Sequence, residues 1–172
     1  MQLLAVTLSV LGTVCISVSS LLKGKNMKLI LLLVFLCNAL IATSYFLTGA
    51  FNGAVSCSVG AAMSIINYFF EKKNKPIPMW LIAVYAVAFV AVNLLVFTQL
   101  ADVLALLGAL TLVVGLCQKS GRKYRFWSLV NTVLWITYDI ITLSFGPLST
   151  HAILLVTILA GMVMHDRKKK TE

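Results

Sequence analysis

The chain predicts an all-α polytopic membrane protein. Seven transmembrane helices are expected, arranged 3+1+3 as two parallel triple-helix repeats, with the N-terminus outside and the C-terminus inside. Three observations carry this expectation. The 172 residues are 60% hydrophobic and 11% charged, with a mean hydropathy of +1.00, more apolar surface than a soluble domain of this size can hide. The apolar residues fall in seven runs, each close to the length needed to cross a ~30 Å hydrocarbon layer at ~1.5 Å per helical residue. The 14 Lys and Arg residues occupy alternate gaps between those runs and are missing from the others.

The runs cover residues 1–22, 29–48, 53–70, 79–97, 100–118, 126–146 and 148–165. The first is too long for a signal-peptide core and lacks both a basic start and an Ala-x-Ala end, so it is read as a retained helix. Lys23, Lys25 and Lys28 follow it. Lys72, Lys73 and Lys75 follow the third run, and Lys119, Arg122, Lys123 and Arg125 the fifth. Arg167, Lys168, Lys169 and Lys170 follow the seventh. Short basic loops stay cytoplasmic during insertion, so this alternation orients every span. The net charge of +9 is then an inside-facing rim and not a nucleic-acid footprint. The connectors are tight: Gly49 and Gly53 bracket the second turn, Pro76 and Pro78 punctuate the third loop, and Gly146-Pro147 marks the sixth turn. Trp80 and Trp127 sit at cytoplasmic interface depth. No extramembrane domain is expected.

An internal repeat organises the runs. Asn38, Tyr45 and Gly53 match Asn131, Tyr138 and Gly146 at a constant offset of 93 residues. Each segment is the middle helix of a triplet that starts outside and ends inside. Joining two such triplets requires one more crossing, which the run 79–97 supplies. The domains are therefore 1–70 (first bundle), 71–99 (basic loop and linker helix) and 100–172 (second bundle and basic tail). Parallel repeats of this kind are a known transporter plan, with the site between the halves.

This layout resembles the SWEET/PQ-loop (MtN3-like) superfamily of small transporters. More narrowly, Leu40-Ile-Ala-Thr-Ser-Tyr-Phe-Leu-Thr-Gly49 and Val133-Leu-Trp-Ile-Thr-Tyr-Asp-Ile-Ile-Thr142 are similar to the bacterial inner-membrane YgjV-type proteins. The Pro-Gln dipeptide of PQ-loop proteins is absent, as are the prolines at which SWEET carriers hinge in the first and fifth helices. The resemblance thus implies an architecture and a bacterial inner-membrane location more than a substrate.

The candidate substrate path consists of Asn38, Tyr45, Asn67, Asn131, Trp135, Tyr138, Asp139 and His151. Asp139 lies ~20 Å along its helix from Phe126, and an intramembrane carboxyl is expensive enough to suggest a coupling role. The alternative is an Asp that reaches a hydrated vestibule or bonds Ser and Thr neighbours. Asn38 and Tyr45, like Asn131 and Tyr138, share a helix face at a seven-residue spacing, which Trp135 extends; they could line a path or act as interhelical glue. Asn67 ends a small-polar stripe with Ser56, Gly60 and Ser64, whose default meaning is packing. His151 is placed on the same outer half as Asp139, and His165 at the headgroups. Cys15, Cys37, Cys57 and Cys117 show no metal or disulfide spacing. No catalytic constellation and no cofactor motif occurs.

The function expected is a small-solute transporter or facilitator working by alternating access between the bundles. The alternative is a non-transporting scaffold, sensor or assembly partner; an enzyme is not expected. The partners expected are the lipid bilayer and a small molecule or proton, without nucleic acid. The oligomeric state stays open.

Overall fold

In the absence of water, each backbone N–H and C=O must find its partner inside the chain, which favours continuous helix. The computed structural model describes residues 2–22, 26–48, 51–95, 97, 100–141 and 145–166, and the ordered elements among them are helices. They are α1 (Gln2–Leu21), α2 (Met27–Thr48), α3 (Phe51–Lys72), α4 (Met79–Leu95), α5 (Asp102–Leu116), α6 (Gly121–Ile141) and α7 (Phe145–His165). Polar side chains on them often bond back into their own helix: Thr7 donates to the Leu3 carbonyl, Ser58 to that of Ala54 and Asn93 to that of Phe89. Such back-bonding hides a hydroxyl or amide without needing a second helix.

Four stretches are long and apolar enough to cross a membrane: Leu3–Leu21, Met27–Leu47, Ala54–Lys72 and Leu148–His165. α4 and α5 are equally apolar but shorter, at 17 and 15 residues. α6 has the length, at 21 residues, but it begins on Gly-Arg-Lys-Tyr-Arg and carries Asn131, Thr132 and Asp139. Large apolar side chains cover the outer surface, and Leu3, Leu95 and Leu100 are each more than 80% exposed. An apolar exterior of this extent needs lipid around it.

Packing follows chain order. Each helix lies against its sequence neighbours, and α7 returns onto α1. α4 is held most loosely, on α3 and α5. The ends of α1, α3, α5 and α7 meet the starts of α2, α4 and α6 at what we call the basic end. The largest buried apolar cluster lies toward this end and includes Met27, Ile30, Val34, Met63, Tyr85, Val113 and Tyr124.

Among the boundaries that differ from the expected ones, three have a clear local reason. α3 continues to Lys72 and closes with the Lys75 N–H bonded to the Phe70 carbonyl and the Asn74 N–H to that of Glu71. Asn74 takes φ 52°, the left-handed cap that Asn tolerates, and Pro76 prevents continuation. α7 begins at Phe145, so Gly146-Pro147 belongs to its first turn and does not form the connector. A proline there loses no helical bond, since first-turn N–H groups have no intrahelical acceptor. α6 begins at Gly121, five residues before the expected run. Arg125, expected on the cytoplasmic rim, is therefore helical and 1% exposed. Residues 49–50 and 142–144, Lys23, Lys25 and the sequence from Arg167 onward lie outside the described residues.

Candidate functional site

Four of the eight candidate residues meet at the end opposite the basic one. On α6, Trp135, Tyr138 and Asp139 are three and four residues apart and so share one side of the helix. The antiparallel α7 brings His151 to the same level. The His151 Nδ1 lies 2.7 Å from the Asp139 Oδ2, and Asp139 is 2% exposed. Trp135 stacks on the His151 ring with centroids 5.7 Å apart and planes 15° from parallel. It meets Tyr138 edge to face at 5.6 Å. The Tyr138 hydroxyl donates to the Asp102 Oδ1 at 3.3 Å, tying in the start of α5. A fifth candidate, Tyr45 on α2, lies within electrostatic reach of Asp139. The contacts of the cluster thus draw on α5, α6 and α7. It can exchange a hydrogen bond at a buried carboxylate and offers aromatic faces around it.

The two Asn residues have different partners. The Asn131 amide donates to the Gly108 carbonyl at 2.6 Å and lies 3.4 Å from the Thr111 hydroxyl, both on α5. Asn38 donates to the Val34 carbonyl of its own helix at 2.9 Å. Its amide oxygen rests against Gly60, 2.9 Å from where a Cβ would stand. One Asn serves the α5–α6 seam and the other the α2–α3 seam. The Asn131 bond crosses between helices, whereas the Asn38 bond stays within α2. Gly108 leaves room for Trp135, whose Nε1 is 2.9 Å from the position of its missing Cβ.

Asn67 stands apart, toward the basic end. It is fully buried, donating to the Leu116 carbonyl at 3.0 Å and accepting from the Tyr85 hydroxyl at 3.1 Å. It therefore joins α3 to α4 and α5. Asn67→Ala should cost about 1–3 kcal/mol by leaving the buried Tyr85 hydroxyl and Leu116 carbonyl unpaired. Thermal unfolding of the purified protein in detergent checks this, and an unchanged midpoint would contradict the joining role.

The sequence reading missed a second polar centre, at the basic end. Arg125 on α6 grips Asp166 with two nitrogens, its Nε at 2.9 Å from Oδ2 and its Nη2 on Oδ1. Its Nη1 donates to the Leu22 carbonyl at 2.7 Å. The His165 Nε2 lies 2.8 Å from the Leu21 carbonyl, and the Ser19 and Tyr124 hydroxyls share a bond at 3.2 Å. The last carbonyls of α1, which no helical N–H can reach, are thus met by α6 and α7. Asp102 was overlooked as well. One signal was available for both: Asp102 and Asp166 are two of only five acidic residues in the chain. Among the described residues, no group of three or more His, Cys, Asp or Glu side chains is placed to hold a metal ion.

An apolar helical exterior with polar centres closed inside defines a multi-pass helical membrane protein. The chain belongs to the Imp-YgjV family, a bacterial inner membrane protein family, which it matches over residues 3–169. It is accordingly a multi-pass protein of the bacterial inner membrane. No curated protein and no solved structure matches it significantly.

Proposed function

We propose that this protein carries a small solute across the inner membrane, coupled to a proton or cation at Asp139. The observation that carries the reading is the Asp139–His151 pair, because ionisable groups inside a membrane protein are costly to keep and mark pathways by default. On this reading all seven helices cross the bilayer and the basic end faces the cytoplasm, as the alternation of Lys and Arg favours. α1–α3 and α5–α7 form the two bundles. Support comes from the packing: α2 lies extensively on both α1 and α3, α6 on both α5 and α7, and α4 only lightly on its neighbours. A 3+1+3 plan of this kind is shared with the SWEET and PQ-loop carriers, without their proline hinges.

The chemistry is exchange at one carboxylate. A solute or proton reaching Asp139 competes with His151 for the same oxygen, which loosens α6 from α7. Tyr45 brings the first bundle within reach of that change, and Tyr138 relays it to α5 through Asp102. No bond of the solute is made or broken.

The test is flux in proteoliposomes with a pH dye inside, against a panel of sugars, amino acids, nucleosides and vitamins. At least one solute should move protons. Asp139→Asn should cut that flux roughly tenfold or more, the worth of one charge-assisted hydrogen bond, with a smaller loss in Tyr138→Phe. If no solute moves protons, or Asp139→Asn carries as the parent does, the proposal is wrong.

A further inference from the structure

At the basic end, a cavity of about 480 Å³ opens between the end of α3, the α5–α6 turn and the end of α7. Two of the basic side chains on its wall are already committed. Arg125 is held by Asp166, and the His165 Nε2 by the Leu21 carbonyl. Two others are not: Lys119 and Arg122 are exposed and form no salt bridge among the described residues. Glu71 is the one wall carboxylate besides Asp166, so the uncommitted charge is net positive.

The backbone adds to this. Ser120 caps α6, its carbonyl accepting the Tyr124 N–H. The N–H groups of Gly121, Arg122 and Lys123 therefore precede the first intrahelical bond, at the positive end of the helix dipole. Ser120 and Arg122 both line the cavity, placing two cations, a hydroxyl and a helix start around one space. That combination suits a phosphate oxyanion.

We propose that this cavity is a binding site for a phosphate-bearing anion, whose source is an anionic phospholipid headgroup or free phosphate. The site is separate from the Asp139 cluster and does not require the protein to be a carrier.

The test uses the full-length protein in phosphatidylcholine nanodiscs. Dioleoyl phosphatidylglycerol is added in one arm and inorganic phosphate in another, with thermal unfolding and native mass spectrometry as readouts. The lipid should raise the unfolding midpoint and remain bound in the spectrometer. Lys119→Gln with Arg122→Gln should weaken that binding roughly 30-fold, the factor for two cations near a headgroup. Lys73→Gln with Lys75→Gln, which removes the same charge outside this cavity, should leave most of it. Stabilisation by inorganic phosphate alone, lost in the Lys119/Arg122 variant, would support the anion site with a soluble ligand. If neither ligand stabilises the protein, or the two double variants bind alike, the proposal fails.

Discussion

Arg125→Met will destabilise the protein on the order of 3 kcal/mol, and Arg125→Met with Asp166→Leu will recover most of that loss. The single change leaves Asp166 without its bidentate partner and the Leu22 carbonyl without a donor. Breaking one side of a buried pair typically costs about 3–5 kcal/mol, because the remaining charge is uncompensated. Asp166 is 9% exposed, against 1% for Arg125, so water can reach the carboxylate once the guanidinium is gone. The lower part of the range is therefore expected. Removing both partners deletes the stranded charge and keeps hydrocarbon in its place, which is often near neutral. The Leu22 carbonyl stays unpaired in both variants and accounts for the residue of the effect. Unfolding midpoints of the parent, both single variants and the double variant form the necessary cycle. A double variant as unstable as the sum of the singles would show that the two side chains act independently and that the clasp between α1, α6 and α7 has been misread.

Arg125 also shows where reading the chain alone stopped short. Composition, run length and the alternation of basic residues were enough for a helical membrane protein, because each acts over a whole span and tolerates an error of a few residues. They could not separate Arg125 from Lys119, Arg122 and Lys123. All four sit in one polar stretch, and only the start of α6 at Gly121 turns one of them inward. Asp166 hides for the same reason, standing beside four basic residues that make it look like part of a solvated tail. Asp139 was easier to find. A carboxyl deep within an apolar run is conspicuous, and His151 follows from its place on the adjoining antiparallel helix. The Asn residues share an offset of 93 residues, which allows either a common path or interhelical packing. Yet Asn131 reaches α5 while Asn38 lies against α3. A residue's spacing along the chain indicates which helix it occupies, whereas its partner depends on what the neighbouring helix offers at that level. Gly60 leaves room for the Asn38 amide, whereas Asn131 bonds a backbone carbonyl at Gly108.

Glycine decides one more feature, and with a larger consequence. Gly161→Ala will cost about 1–3 kcal/mol, the usual range for forcing extra atoms into a packed interior, although alanine is the better helix former by roughly 1 kcal/mol. A Cβ at this position would overlap the Ser20 carbonyl oxygen and press on the Arg125 Cδ at 3.2 Å. The first obstacle is backbone, so no rotamer change relieves it, and α7 must move off α1. That displacement pulls on the Arg125 bond to Leu22 and the His165 bond to Leu21, which lie within a turn of the contact. Gly60→Ala supplies the control. Its nearest neighbours are atoms of the Asn38 side-chain amide, which can swing aside at the expense of one local bond, so its loss should be smaller and the gain in helix propensity should offset part of it. Unfolding midpoints of the two variants, measured in the same detergent, distinguish the cases. The close approach of α1 and α7 predicts a clear drop for Gly161→Ala and a slight one for Gly60→Ala. Equal losses, or a Gly161 variant as stable as the parent, would mean that the two helices are not held this tightly at the basic end.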